Sequence, residues 1–156
     1  MTINPEALSL LHGFLGTIFL MCFTGAIVAI FSFKKQRYKL LKYSILFMTI
    51  AVIIIDILGA TVYVTYRSAD PSSARSKILA SDSPWVHDIL MEFKEFAGIF
   101  VAILMILINF LVISYKSKIL EDKKLRGTLI LLLAITMLLT LATFGLGAYI
   151  TKVQSI

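Results

Sequence analysis

Four apolar stretches, at about Leu8–Phe33, Tyr43–Tyr66, Phe96–Tyr115 and Thr128–Ile150, fill most of this 156-residue chain. A hydrocarbon core of about 30 Å is crossed by about 20 helical residues at 1.5 Å each, and every stretch reaches that length. Lipid supplies no water to satisfy a broken backbone, so each stretch is expected to be one continuous helix. The reading is all-α: an integral membrane four-helix up-down-up-down bundle in which residues 1–156 form a single transmembrane domain. The expected helices run at about 5–33, 43–66, 84–115 and 127–151. With 59% hydrophobic residues and a mean hydropathy of +0.93, no stretch is left over for a soluble domain.

The formal charge of +6 would suit nucleic acid, but its placement argues against that partner. Lys34, Lys35, Arg37, Lys39 and Lys42 lie between the first two spans; Lys116, Lys118, Lys123, Lys124 and Arg126 lie between the last two. Ten of the fifteen basic residues thus sit in two short loops, opposed only by Glu121 and Asp122. The positive-inside rule makes those loops cytoplasmic and puts both termini on the non-cytoplasmic side, with a cell (plasma) membrane expected. Membrane lipid is the expected partner, with anionic headgroups a secondary attraction for the loops. The first span is too long for a secretion signal and ends in a basic cluster, so it reads as a retained helix.

Cys22 is the only cysteine and lies inside the first span, which excludes an internal disulfide and a multi-cysteine metal site. Asn4-Pro5-Glu6 reads as a helix start, with Asn4 the cap. Asp70-Pro71-Ser72-Ser73 reads as a turn, and Ser81-Asp82-Ser83-Pro84 as a second cap, starting helix three at Pro84. That start leaves helix three projecting from the outer face.

His12 and His87 are the only histidines, and both fall towards the outer ends of odd-numbered helices. A b-type haem asks a helical membrane protein for one or two axial imidazoles, small residues beside the macrocycle and apolar walls. Helix one offers His12, Gly13 and Gly16, with Phe19 and Phe23 continuing the face; helix three offers His87 and Met91. The plainer alternative is a pair of interfacial histidines, with glycines that let helices pack closely. His12 is 21 residues above Phe33 and His87 28 above Tyr115. That offset of roughly 10 Å must be absorbed if both are to reach one iron.

The segment Trp85 to Phe96 is the densest polar cluster near the bilayer. Lys94 falls level with His12, and Glu92 and Glu95 bracket that height. Such a set suits a proton relay, a metal site or a substrate clamp, or else simply a solvated entry turn with Trp85 as interfacial anchor. Asp56 lies 13 residues above Tyr43, near the bilayer centre, where a free carboxylate is costly. Thr140, Thr17 and Thr24 are at comparable heights, so Asp56 is expected either to hydrogen-bond to threonine and hold helices together, the favoured reading, or to titrate and move protons. A phosphate-binding glycine loop, a paired-histidine zinc motif and a nucleophile elbow are all missing from the sequence.

With LLHGFLG opening helix one and WVH opening helix three, the chain resembles small membrane haem proteins, namely the cytochrome b561-like group and the four-helix protoporphyrinogen oxidases. The first resemblance implies ligation by His12 and His87; the second implies His12 with Lys94. After helix one the chain reads IFSFKKQRYKLLK and departs from the oxidase pattern. The functional expectation is therefore a haem b protein or haem-bearing subunit, with metal ligands His12 and His87, that passes electrons near the outer face to a redox partner. The alternative is a cofactor-free accessory subunit of a larger membrane complex. Whether the chain is an enzyme is left open by the residues.

Overall fold

The computed structural model describes residues 5–32 and 34–153. The expected cap Asn4 and the expected helix end Phe33 lie outside them. Four long helices dominate: α1 (Pro5–Phe31), α2 (Tyr38–Tyr66), α4 (Glu92–Tyr115, extended backwards by a π-helical turn, Val86–Met91) and α6 (Lys123–Val153). Two short helices accompany them, α3 (Ala74–Leu79) and α5 (Lys118–Glu121), with a 3₁₀ turn over Lys35–Arg37. No strand occurs among the described residues, and all four long helices are apolar enough to span a membrane. The end carrying the loops 32–37 and 116–122 is called the basic end below, and the opposite end the histidine end.

Two helices begin earlier than hydropathy suggests. α2 starts at Tyr38 rather than near residue 43, because Leu41 is fully buried and Tyr38 and Leu40 pack on the same core. The interposed Lys39 and Lys42 mask this turn in a hydropathy window. α6 starts at Lys123 rather than near 127 because Asp122 caps it: its Oδ1 accepts the backbone N–H of Lys124 at 2.8 Å and of Leu125 at 3.1 Å. The third span enters at Pro84 as expected, since the His87 N–H donates to the Pro84 carbonyl at 3.0 Å, but its first turns are π-helical. The connection between α2 and the third span contains α3, a helix too short to show in hydropathy. Ser73 caps α3 through the Ser76 N–H, and Ala74 and Ile78 are buried beneath it.

α1 packs along α2, α2 along α4, and α4 along α6, whereas α1 and α6 form no comparable interface. At Gly25 the approach of α1 to α2 is so close that a Cβ there would lie 2.6 Å from Ser44 Oγ. The seam is thus set by small residues, as van der Waals packing between helices in lipid favours.

The inward stripes explain where the core lies. In α6 the stripe runs Leu129, Leu133, Thr136, Thr140, Thr143, Gly147, Ile150, and in α4 it runs Val112, Ile108, Met105, Val101, Gly98, Lys94, Met91. In α2 it runs Leu41, Ile45, Met48, Val52, Asp56, Gly59, Tyr63, Tyr66, and in α1 Ile30, Ala26, Phe23, Phe19, Gly16, His12. These alternating spacings of three and four keep one face inward. On every helix the stripe changes from large and apolar at the basic end to small or ionisable towards the histidine end. A dense core accordingly fills the basic half, from Phe19 down to Ile119 and Leu120. A separate cluster of Tyr66, Ala74, Ile78, Val86, Met91 and Ile150 roofs the histidine end.

Candidate polar chamber at the histidine end

Between core and roof the packing loosens. Over residues 10–18, 53–64, 92–100 and 137–149, Ala97 is the one buried residue among those described. Into this layer the stripes bring His12 from α1, Asp56 from α2, Lys94 from α4, and Thr140 and Thr143 from α6. Each stands about twenty residues from the basic end of its helix, which places them at one level to within about a turn. Among the described residues, the roof draws on α2, α3, the third span and α6.

His12 is half-buried and makes no hydrogen bond among the described residues. Lys94 lies within electrostatic reach of it. The Lys94 side chain crosses to α6, its Cε 3.2 Å from where a Cβ on Gly147 would sit. Among the described residues no carboxylate forms a salt bridge with Lys94; Glu95 acts on it at longer range and lies near Tyr63. Beside His12, a Cβ on Gly13 or Gly16 would meet nothing within 4 Å. These glycines thus open a face of α1 rather than admitting a neighbouring helix.

His87 is in a different setting. It is 3% exposed, inside the roof. Arg75 Nε donates to its Nε2 at 3.0 Å, and its Nδ1 is 3.1 Å from the Tyr66 hydroxyl. A guanidinium only donates, so Nε2 is the unprotonated nitrogen and the ring proton sits on Nδ1, directed at the Tyr66 oxygen. The Tyr66 hydroxyl is buried beside it and accepts that hydrogen bond. Tyr63 stacks on Tyr66 with ring centroids 5.9 Å apart and receives a hydrogen bond from Arg67 at 3.0 Å. Both nitrogens of His87 are thus engaged, and either could reach iron only by giving up its bond. Met91 is a buried packing residue of the same roof.

Asp56 is not the threonine-bonded strut the sequence suggested. Thr140 donates to the Thr136 carbonyl at 2.8 Å, Thr17 to that of Gly13 at 3.1 Å and Thr24 to that of Leu20 at 3.1 Å. Each hydroxyl folds back on its own helix, the ordinary alternative for threonine in a span. The Asp56 carboxyl instead lies against α4, with Oδ1 3.5 Å from where a Cβ on Gly98 would be, and has no hydrogen-bond partner among the described residues.

The described residues contain no group of three or more His, Cys, Asp or Glu side chains able to hold a bare metal ion. Arg75, Tyr66, Tyr63 and Gly147 were not singled out from the sequence. The tyrosines carried a faint signal in their three-residue spacing on α2, while Arg75 carried none. Compared with family models, with curated proteins and with solved structures, the chain matches none.

Proposed function

We propose that the chain is a small membrane b-type haem protein whose prosthetic group would be held in the polar chamber by His12. The observation behind this reading is the contrast between the histidines: both nitrogens of His87 are engaged, whereas His12 is unengaged, beside the open face of Gly13 and Gly16 and within reach of Lys94. His12 would hold the iron, and Lys94 would serve as a second ligand or as the cation pairing with a propionate. The group would supply one-electron transfer. The core below Phe19 would keep water from reaching the layer from the basic end, and the roof would set the distance to a redox partner docking at the histidine end. With the basic loops cytoplasmic, that partner would meet the protein on the outer face of the cell membrane.

The test is an absorption spectrum of the intact chain expressed with ample haem. Wild type should show a Soret band with reduced α and β bands; His12→Ala should lose them and His87→Ala should keep them. A folded preparation without the bands overturns the reading. Orientation is checked separately with single cysteines. At Lys39 and Lys123 they should resist an impermeant thiol reagent in intact cells, while one at Ser73 should react.

A second reading, a cofactor-free accessory subunit, is favoured by the missing α1–α6 interface and by the burial of only 17% to 33% of each span's most apolar window. An apolar groove of about 420 Å³ over Phe93, Phe96, Phe100, Ile103 and Leu139 adds to the uncovered surface. A colourless protein recovered only with other membrane subunits would select this alternative.

A further inference from the structure

We propose that the basic end of the bundle is a binding surface for the phosphates of anionic lipid headgroups, assembled jointly from the two short loops. Neither loop forms it alone. α5 packs on the 3₁₀ turn over Lys35–Arg37, and the Tyr38 hydroxyl donates to the Val112 carbonyl at 3.3 Å, tying the start of α2 to the end of α4. Ile119 and Leu120 are buried in the core, which pins α5 beneath the bundle. Arg126 reaches back to the Leu120 carbonyl at 2.9 Å and holds the second loop in place.

This docking leaves Lys34 and Arg37 of one loop with Lys39 in the first turn of α2, and Lys116 and Lys118 of the other with Lys123 and Lys124 in the first turn of α6, exposed on one end of the molecule. The acids there are Glu121 and Asp122, and the Asp122 carboxylate is occupied with two backbone N–H groups of α6. The cations surround the ends of all four spans, where headgroup phosphates lie, and their long stems let the ammonium groups reach that level.

Lys116 supplies an independent observation. Its φ is 51°, the one positive φ at a non-glycine among the described residues, and it ends α4 with ψ −139°. Glycine adopts such a backbone freely, whereas a side chain is strained by it. What lysine offers there and glycine does not is a cation at the membrane boundary. Charge and backbone relaxation therefore pull in opposite directions at this position, which makes it diagnostic.

The intact protein is reconstituted in nanodiscs of phosphatidylcholine mixed with phosphatidylglycerol, and the lipids it keeps on release are counted by native mass spectrometry. Phosphatidylglycerol should be retained well above its share of the mixture. Lys39→Gln beside one loop and Lys118→Gln in the other should each lower that retention by about fivefold at low salt, the factor expected for one basic residue near an anionic surface. Lys116→Gly should lower it similarly while melting at or above the wild-type temperature. Retention of both lipids in proportion to abundance overturns the proposal. Loss confined to variants of one loop overturns the joint assembly, and a parallel fall in melting temperature and retention for Lys116→Gly makes its effect structural. Displacement of phosphatidylglycerol by inorganic phosphate or a short RNA duplex would reassign the surface to a soluble anion.

Discussion

Arg75 Nε donates to Nε2 of His87 at 3.0 Å, and this bond joins a short helix in the connecting segment to the first turn of the third span. It fixes the tautomer of a buried imidazole and thereby directs the opposite ring proton to Tyr66.

Removing either partner strands a buried polar nitrogen. Arg75→Met and Tyr66→Phe should each lower stability by about 1–3 kcal/mol, the usual cost of an unsatisfied buried group. Thermal unfolding of the purified variants measures this. Unchanged melting in both would mean that the roof does not depend on His87's hydrogen bonds.

Gly16→Leu discriminates a chamber from a helix seam. Because a Cβ at Gly16 meets nothing within 4 Å, the substitution should leave the fold intact, and helix propensity should favour it by roughly 1 kcal/mol. If a haem lies over that face, the leucine should abolish the Soret band without lowering the melting temperature. Retained colour would move the group elsewhere.

Gly25 should behave in the opposite way. Its Cβ would sit 2.6 Å from Ser44 Oγ, with the Ser44 side chain buried in the α1–α2 seam. Gly25→Ala should cost about 1–3 kcal/mol through overpacking, and adding Ser44→Ala, whose Cβ lies at 3.7 Å, should restore most of the loss. Simple additivity of the two changes would refute the contact.

Among the described residues Asp56 has no hydrogen-bond partner whose loss would be felt. Asp56→Asn and Asp56→Leu should both fold with stability within about 0.5 kcal/mol of wild type or above it, the scale of ordinary substitutions that break no contact. Activity separates them from a spectator: if the carboxyl exchanges protons with the chamber, both variants fold normally and electron transfer slows. A large drop in stability for Asp56→Leu would reveal a partner.

The Asp122 cap predicts a pH dependence for the start of α6. Hydrogen bonds from Leu125 and Lys124 N–H groups hold its carboxyl below the ordinary value of 3.8. A depressed native value means the contribution is fully present above the unfolded value and is lost as pH falls through the native one. Hydrogen exchange at Lys124 and Leu125 should therefore gain protection-loss below about pH 4 in wild type, and Asp122→Ala should show that loss at neutral pH already. Equal protection in both proteins at neutral pH would discount the cap.

Much of the architecture is legible locally. Apolar length forces four spanning helices because lipid forbids an unsatisfied backbone, and the level of Lys94 beside His12 follows from counting residues at constant rise. Local signals also mark the Pro84 entry of the third span and the Asp70 turn, where Oδ1 accepts the Ser72 N–H at 2.7 Å.

Other features depend on contacts that no local pattern encodes. The sequence by itself cannot tell which side chains a threonine or histidine will meet: Thr140 turned to its own helix rather than to Asp56, and His87 was claimed by Arg75 from twelve residues upstream. The early starts of α2 and α6 depended on burial of Leu41 and on the Asp122 cap, both outweighing the charges that lower local hydropathy. The meeting of two separate basic loops, and the loose layer between core and roof, arise only when four stripes with the same gradient are brought side by side. Periodicity and polarity are properties of a segment, so the sequence determined the helices; hydrogen-bond partners and empty space are properties of pairs of segments, and those the tertiary structure decided.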